Sequence, residues 1–393
     1  MRTHERQALI VVLFVAFRLM MLITFPADNL TLFGDTIYYY ELASFSDQGH
    51  LPFVDYWSEY PPIVPFLMVG IYQLSQAFVA LVGLVMIAAN AANLVLVMRL
   101  ARSILSEAQA ELIGWTTGAL FVPLMYTWWN FDALTALAIL LAIDLLFEKR
   151  DDWSAVVMGL GILVKLVPLL VFPIVLLTRP WRRILRSGLI AAGVVAIVVV
   201  PLLIAGGPMA VASLRSPTGW SSWQTVWALL DGNLRTGLLV APSEHFDAAV
   251  ATTPVGNPAV VPEWIRLIVF GALAGLIIFK AHVRDNPRRQ ITFVGITFVV
   301  FFLWSKGWSP QWQTLLFPLL LLALPLRRSV LFILVLSLVN LAEWPVMLSR
   351  GLNEWLYLTV TLRTVIFILL LIEMVPRVLG NRSMPAPAAP SEQ

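Results

Sequence analysis

Long apolar runs separated by short polar stretches dominate this chain, and most of the runs have the length of a membrane-crossing helix. Residues 8–25 form the first. Arg18 lies within it and must face other helices or reach the interface, because an arginine pointing into hydrocarbon is costly. Residues 61–75 make a run of about 22 Å as a helix, short of a bilayer core of about 30 Å, and are predicted to lie in the interface or dip partway in. Further spans are predicted at 77–98, 113–129, 133–147, 184–204, 264–283, 291–304, 314–326, 330–348 and 355–375. In residues 153–178 the run is interrupted at Lys165-Leu166-Val167-Pro168, where proline removes a hydrogen bond and disfavours helix just before it. A hairpin of two short helices turning near Lys165 is expected. The result is twelve crossings with both termini on the cytoplasmic side.

Two polar regions stand apart from this pattern, residues 26–76 and 206–263, the second predicted to be the longest non-helical stretch. The end of the chain, residues 383–393, has the low-complexity alanine and proline composition of a disordered tail.

Composition agrees with a polytopic membrane protein: of 393 residues 59% are hydrophobic and 12% charged, with a mean hydropathy of +0.84. A pI near 9.3 does not point to nucleic acid, because the basic residues sit in short clusters between apolar runs and act as topology signals. Of the 26 Lys and Arg, only Arg18, Lys165, Arg215, Arg235, Arg266, Lys306, Arg350 and Arg363 fall outside the stretches placed in the cytoplasm. These eight are the candidates for an anion site. All of the fifteen tryptophans but Trp115, Trp153 and Trp181 fall on or near the opposite face, an excess that a binding surface there would explain. Arg2 and Arg6 before the first run look like a signal peptide in outline, but the run is long and no small-residue cleavage site follows, so an uncleaved span is expected. Without cysteine there is no disulfide or thiolate, and the external loops must be held by packing and hydrogen bonds.

The first polar region carries Asp35, Glu41, Asp47, Asp55 and Glu59 among tyrosines and prolines. Asp35 follows a glycine, precedes Tyr38-Tyr39-Tyr40, a run suited to stacking on a sugar, and is placed to take a proton from a hydroxyl. Aspartate there equally suits capping a helix that starts at Thr36, and the two roles are compatible. Asp55 and Glu59 flank Tyr56-Trp57, an arrangement for sugar hydroxyls with an aromatic face nearby, although a solvated loop has the same composition. Lys306, among Ser305, Gly307 and Ser309, suits neutralising a phosphate in a partly dry site, or simply reaching the interface as lysines do. Arg215, with Trp220, Ser222 and Trp223 after it, is a similar case. Lys165 at the hairpin turn needs a carboxylate or phosphate partner. His4, His50, His245 and His282 lack metal-ligand spacing, though His50 and His245 could approach one another across the two loops; no metal or other cofactor is expected. Patterns for phosphate-binding loops, zinc proteases and serine hydrolases are absent.

Three blocks in order carry a family resemblance: Gly34-Asp35-x-x-Tyr38 with Gly49-x-x-Pro52 and Glu59-Tyr60-Pro61-Pro62; Gly159-x-Gly161-x-x-x-Lys165-x-x-Pro168; and Ser305-Lys306-x-x-Ser309-Pro310-Gln311. Together they resemble the GT-C superfamily of integral-membrane glycosyltransferases, most closely glycosyltransferase family 87, which includes polyprenyl-phosphate-mannose-dependent mannosyltransferases. The resemblance implies an all-α polytopic membrane protein, a GT-C-like bundle of about twelve transmembrane helices with two large external loops, residues 1–382 forming one catalytic domain. It implies transfer of a sugar, with inversion, from a polyprenyl-monophosphate donor to a hydroxyl of a lipid or glycan acceptor on the outer face of a bacterial plasma membrane. Asp35 would be the base, and Lys306 and Gln311 would face the donor phosphate together with Arg215. Tyr38, Asp55, Glu59, Tyr60 and Lys165 are the remaining expected substrate contacts. A transporter or lipid flippase is the alternative, since intramembrane Arg18 and Lys165 and a broken helix pair also suit it; it would gather its polar groups at the bilayer middle.

Overall fold

A computed structural model describes residues 3–120, 126–128 and 130–380, and the low-complexity tail at 383–393 lies outside them. The described residues are mostly helical, and they contain no strands. Five stretches have the length and hydropathy to cross a membrane: Glu5–Thr24, Phe78–Ile104, Trp181–Gly206, Leu326–Arg350 and Asn353–Leu379. Other helices placed among the twelve crossings are shorter. Asp132–Phe147, for example, has 16 residues and rises about 24 Å. The crossing expected at 113–129 is a helix that stops at Ala119, followed at Tyr126–Trp128 by a turn.

We label the helices used below α1 (Thr3–Thr24), α2 (Thr36–Ser44), α3 (Ile63–Leu74), α4 (Phe78–Ile104), α5 (Asp132–Phe147), α6 (Asp151–Val164), α7 (Pro208–Gly219), α8 (Glu263–Lys280), α9 (Pro287–Trp304), α10 (Leu326–Leu341) and α11 (Leu356–Leu379). The largest apolar core is built from α4, α5, α9, the helix Gln313–Ala323 and α11, with residues such as Leu100, Ile143, Phe298, Leu320 and Leu370 fully buried. Burial of this kind fixes helix positions tightly enough to hold polar side chains at defined places between helix ends.

The interruption at Lys165 is where the pattern put it. Helix α6 ends at Val164, Lys165 is extended, and a 3-10 turn Val167–Val171 containing Pro168 leads into the helix Phe172–Thr178. Gly161 permits this return, because a Cβ there would come within 2.9 Å of the Pro168 ring.

Neither polar region is an open loop. The first folds as the packed pair α2 and α3, held on α4 by a cluster including Tyr39, Met68 and Phe78. The second is not the non-helical stretch expected: Pro208 opens α7, and a further helix runs over Val226–Asp231. Proline is tolerated in the first turn, where its missing N–H has no partner to lose, so a proline-rich stretch need not be irregular. The two regions lock together around Trp57, which is fully buried against Ala212 and Ala251. His50 and His245 come near each other through Phe246, whose ring centroid is 5.2 Å from that of His50.

Candidate active site

A cavity of about 1040 Å³ opens between these two regions and the ends of several helices. Its wall includes Asp35, Glu59, Tyr60, Lys165, Lys306 and Gln311, six of the side chains expected from the sequence and drawn from four separate stretches of chain.

Asp35 sits at the position before α2, yet its side chain does not cap the helix. The carboxylate instead accepts a hydrogen bond from the Tyr39 hydroxyl at 3.3 Å. Thr36 anchors this helix start, donating to the Trp128 carbonyl at 2.6 Å, and the Trp344 indole donates to the Phe33 carbonyl at 2.9 Å. Burial pushes the Asp35 carboxyl up to about 6; the Tyr39 hydrogen bond and the Lys165 charge oppose the rise, while the negative charges of Asp132 and Glu59 add to it. A carboxylate at that value is more basic than a free one and still ionised at neutral pH.

Asp132, which the sequence reading passed over, is the partner Lys165 needed. It opens α5 with its side chain almost fully buried, and Lys165 Nζ lies 2.7 Å from its Oδ1. The ammonium also lies 5.1 Å from the Trp312 ring centroid and 5.6 Å from that of Phe131. A signal was present in the sequence: a carboxylate directly before an apolar run, together with the requirement that a lysine at the hairpin turn be paired. At the other end of the same helix Asp144 pairs with Arg99 at 2.9 Å, so α5 carries a buried acid near each end and only Asp132 is near the cavity.

The cationic part of the wall comes from the C-terminal half. Lys306 is half-buried and its backbone is fixed by the second polar region. The Trp223 N–H donates to the Lys306 carbonyl at 3.0 Å, the Thr225 hydroxyl to the same oxygen at 3.0 Å, and the Trp308 N–H back to Trp223 at 3.2 Å. Gly307 is required here, since a Cβ would fall 2.1 Å from the Trp223 ring. Burial pushes the Lys306 ammonium down, Glu263 opposes this and Arg266 adds to it. Arg266 on α8 is buried with its guanidinium 5.4 Å from the Trp227 ring centroid; Nη1 reaches the Trp304 carbonyl only at 3.4 Å and Nε has no protein partner among the described residues. Arg235 completes this set.

Behind Lys306 the segment is tied into the bundle by a buried polar network. The Trp308 indole donates to Asn340 Oδ1 at 3.2 Å, Asn340 Nδ2 donates to Gln313 at 2.8 Å, and Arg363 pairs with Glu343 at 2.6 Å.

Other expected residues lie away from the cavity. Asp55 is not on the cavity wall: its carboxylate accepts from the Leu51 N–H at 2.7 Å and closes a turn. Arg215 is exposed and off the wall, which Ser216, Pro217 and Thr218 reach instead. The tyrosine run does not offer a stacking face, because Tyr39 is buried against Tyr60 and Phe131, Tyr40 packs on Tyr72 and Phe78, and Tyr38 points its hydroxyl at Glu59 and His245. Aromatic faces on the wall come instead from Trp220, Trp223, Trp304, Trp312 and Trp344. Of the eight unassigned cations, Lys165 and Arg363 are paired with acids, Arg18 is buried over the Phe14 ring, and Arg350 is exposed; Arg235, Arg266 and Lys306 face the cavity.

The family model of glycosyltransferase family 87 matches residues 57–310, well over half the chain. No curated protein matches this chain.

Proposed function

We propose that this chain, which belongs to glycosyltransferase family 87, uses the cavity to move a sugar from a polyprenyl-monophosphate donor to a hydroxyl of a lipid or glycan acceptor, with inversion. Membership carries the class of activity, a glycosyltransferase in a membrane; the donor, the acceptor, the stereochemistry and the face are our reading. The observation that supports it is the division of charge on one wall, with Asp35 near Asp132, Lys165 and Glu59, and Lys306 near Arg266 and Arg235.

In this reading Asp35 takes the proton of the acceptor hydroxyl as that oxygen bonds to the anomeric carbon. Lys306 and Arg266 stabilise the phosphate as it leaves, in a partly dry site where such contacts are stronger than in water. Gln311 and the tryptophan faces hold the sugar and the polyprenyl phosphate head in register, and orientation of the two substrates supplies much of the rate. Asp35, Asp132 and Lys165 all sit at helix ends, which suits chemistry near an interface better than a midplane transport site. We place that interface on the outer face of the plasma membrane, within a bundle of about twelve crossings.

The test is purified Asp35→Asn assayed with polyprenyl-phosphate sugars and lipid extracts. Transfer is expected to fall by about 10² to 10⁴-fold with donor binding retained. A folded variant working at the wild-type rate would remove Asp35 from the reaction.

A further inference from the structure

His245, from the second polar region, is fully buried between two partners in the first. Its ring stacks on Trp57 with centroids 4.1 Å apart; Nδ1 is 2.6 Å from the Trp57 carbonyl and Nε2 is 2.7 Å from the Tyr38 hydroxyl. The same hydroxyl contacts Glu59 Oε1, and Glu59, its side chain 3% exposed, lies on the cavity wall with Oε2 free of any protein partner among the described residues.

Counting hydrogens decides what this chain holds. A carbonyl only accepts, so Nδ1 carries a hydrogen and the tautomer is set. Two contacts remain, Nε2 to the phenol oxygen and the phenol oxygen to Glu59, and each needs one hydrogen. The phenol supplies only one of them. Burial, before any other cause, pushes the Tyr38 phenol far up, so it is not left as a phenolate. A second hydrogen must therefore reside on Nε2 or on Glu59.

We propose that His245, Tyr38 and Glu59 share one proton beyond the phenol's own, and that His245 is thereby a positioning residue that holds Glu59 Oε2 as a binding group for a sugar hydroxyl. The two arrangements interconvert with all atoms accounted for. The Glu59 O–H bond breaks as that proton bonds to the Tyr38 oxygen, while the phenol's original proton leaves for Nε2; neutral acid and imidazole become carboxylate and imidazolium. In both arrangements Glu59 Oε2 carries no hydrogen and accepts from a substrate hydroxyl, and neither leaves a charge unpaired in a buried place. Asp35 is the charged group next to Glu59, with the Asp132–Lys165 pair on its other side, and none of them is hydrogen-bonded to the His245 ring.

The sugar assignment rests on the glycosyltransferase reading, whereas the shared proton does not. The two are separated by using two readouts on the full chain in detergent. With the four histidines labelled with ¹⁵N, and His245 assigned by its loss in His245→Gln, the wild-type Nε2 signal is expected between the neutral and imidazolium positions. In Glu59→Gln the amide supplies the second hydrogen and the His245 signal is expected to move to the neutral, Nδ1-protonated pattern, with the other three unmoved to report an intact fold. A His245 signal unchanged by Glu59→Gln would overturn the shared proton, whatever the enzyme's activity. In the transfer assay Glu59→Gln and Tyr38→Phe are both expected to raise KM by about tenfold while changing kcat much less, the size of a lost hydrogen bond to a charged group. A Tyr38→Phe enzyme with wild-type KM would show that the link to His245 does not serve Glu59.

Discussion

Lys165 on the N-terminal half of the cavity wall lies 2.7 Å from Asp132 just behind it, whereas Lys306, Arg235 and Arg266 in the C-terminal half have no carboxylate within ion-pair distance among the described residues. The first pair is self-sufficient. Each charge offsets the desolvation of the other, and the two act on Asp35 in opposite directions, after its own burial and the Tyr39 hydrogen bond. The second set is not satisfied within the protein, and a buried guanidinium with a bare Nε is an arrangement that an anionic ligand would complete. Paired charges thus belong to the architecture around Asp35, and the unpaired ones are open to an anionic ligand.

Breaking the paired side should cost most after loss of Asp35 itself. Asp132→Ala leaves the partly buried Lys165 without an acid and is expected to destabilise the protein by up to about 3 kcal/mol, read from thermal unfolding in detergent. The pH profile sharpens the same point. Wild-type transfer should fall as pH drops through about 6, where Asp35 takes up a proton and ceases to be a base. In the milder Asp132→Asn, removing a negative neighbour and leaving Lys165 positive both favour the ionised carboxyl. The acid limb should therefore move to lower pH, and a limb that stays put would detach Asp132 from the base.

The unpaired side should respond in binding rather than in folding. Arg266→Ala removes a cation that has no acid to lose, so its unfolding temperature should hold or rise, while KM for a polyprenyl-phosphate donor increases by about tenfold, some 1.4 kcal/mol. Unchanged KM would mean that Arg266 does not meet the phosphate. The smallest effect is expected outside both sets: Asp55→Ala should lose about 1 kcal/mol of stability from its turn with Leu51 and leave transfer by the folded enzyme unaltered. A drop in transfer would return Asp55 to the substrate, as the sequence suggested.

Much of the site was legible because its residues break a strong pattern. In a chain of apolar runs, Asp35, Lys165 and Lys306 are costly wherever they meet lipid, so their presence at run boundaries was itself a signal. Asp132 and His245 were harder to see. Asp132 looks like the ordinary acidic start of a helix, and His245 like a loop histidine; only contacts with residues 33 and 188 positions away distinguish them. Asp55 and Arg215 lie off the cavity wall for a shared reason: composition near a motif says a side chain is polar and local, and the turn it closes or the direction it points is a backbone matter.

By itself the sequence determined the solvent this protein is built for and the break at Lys165, because hydrophobic run length and proline act locally along the chain, while the class of chemistry came from the family its motifs resemble. Only the tertiary structure decided which charges are spent on each other and which are left for a ligand, because pairing depends on distances between helix ends that no spacing along the chain records.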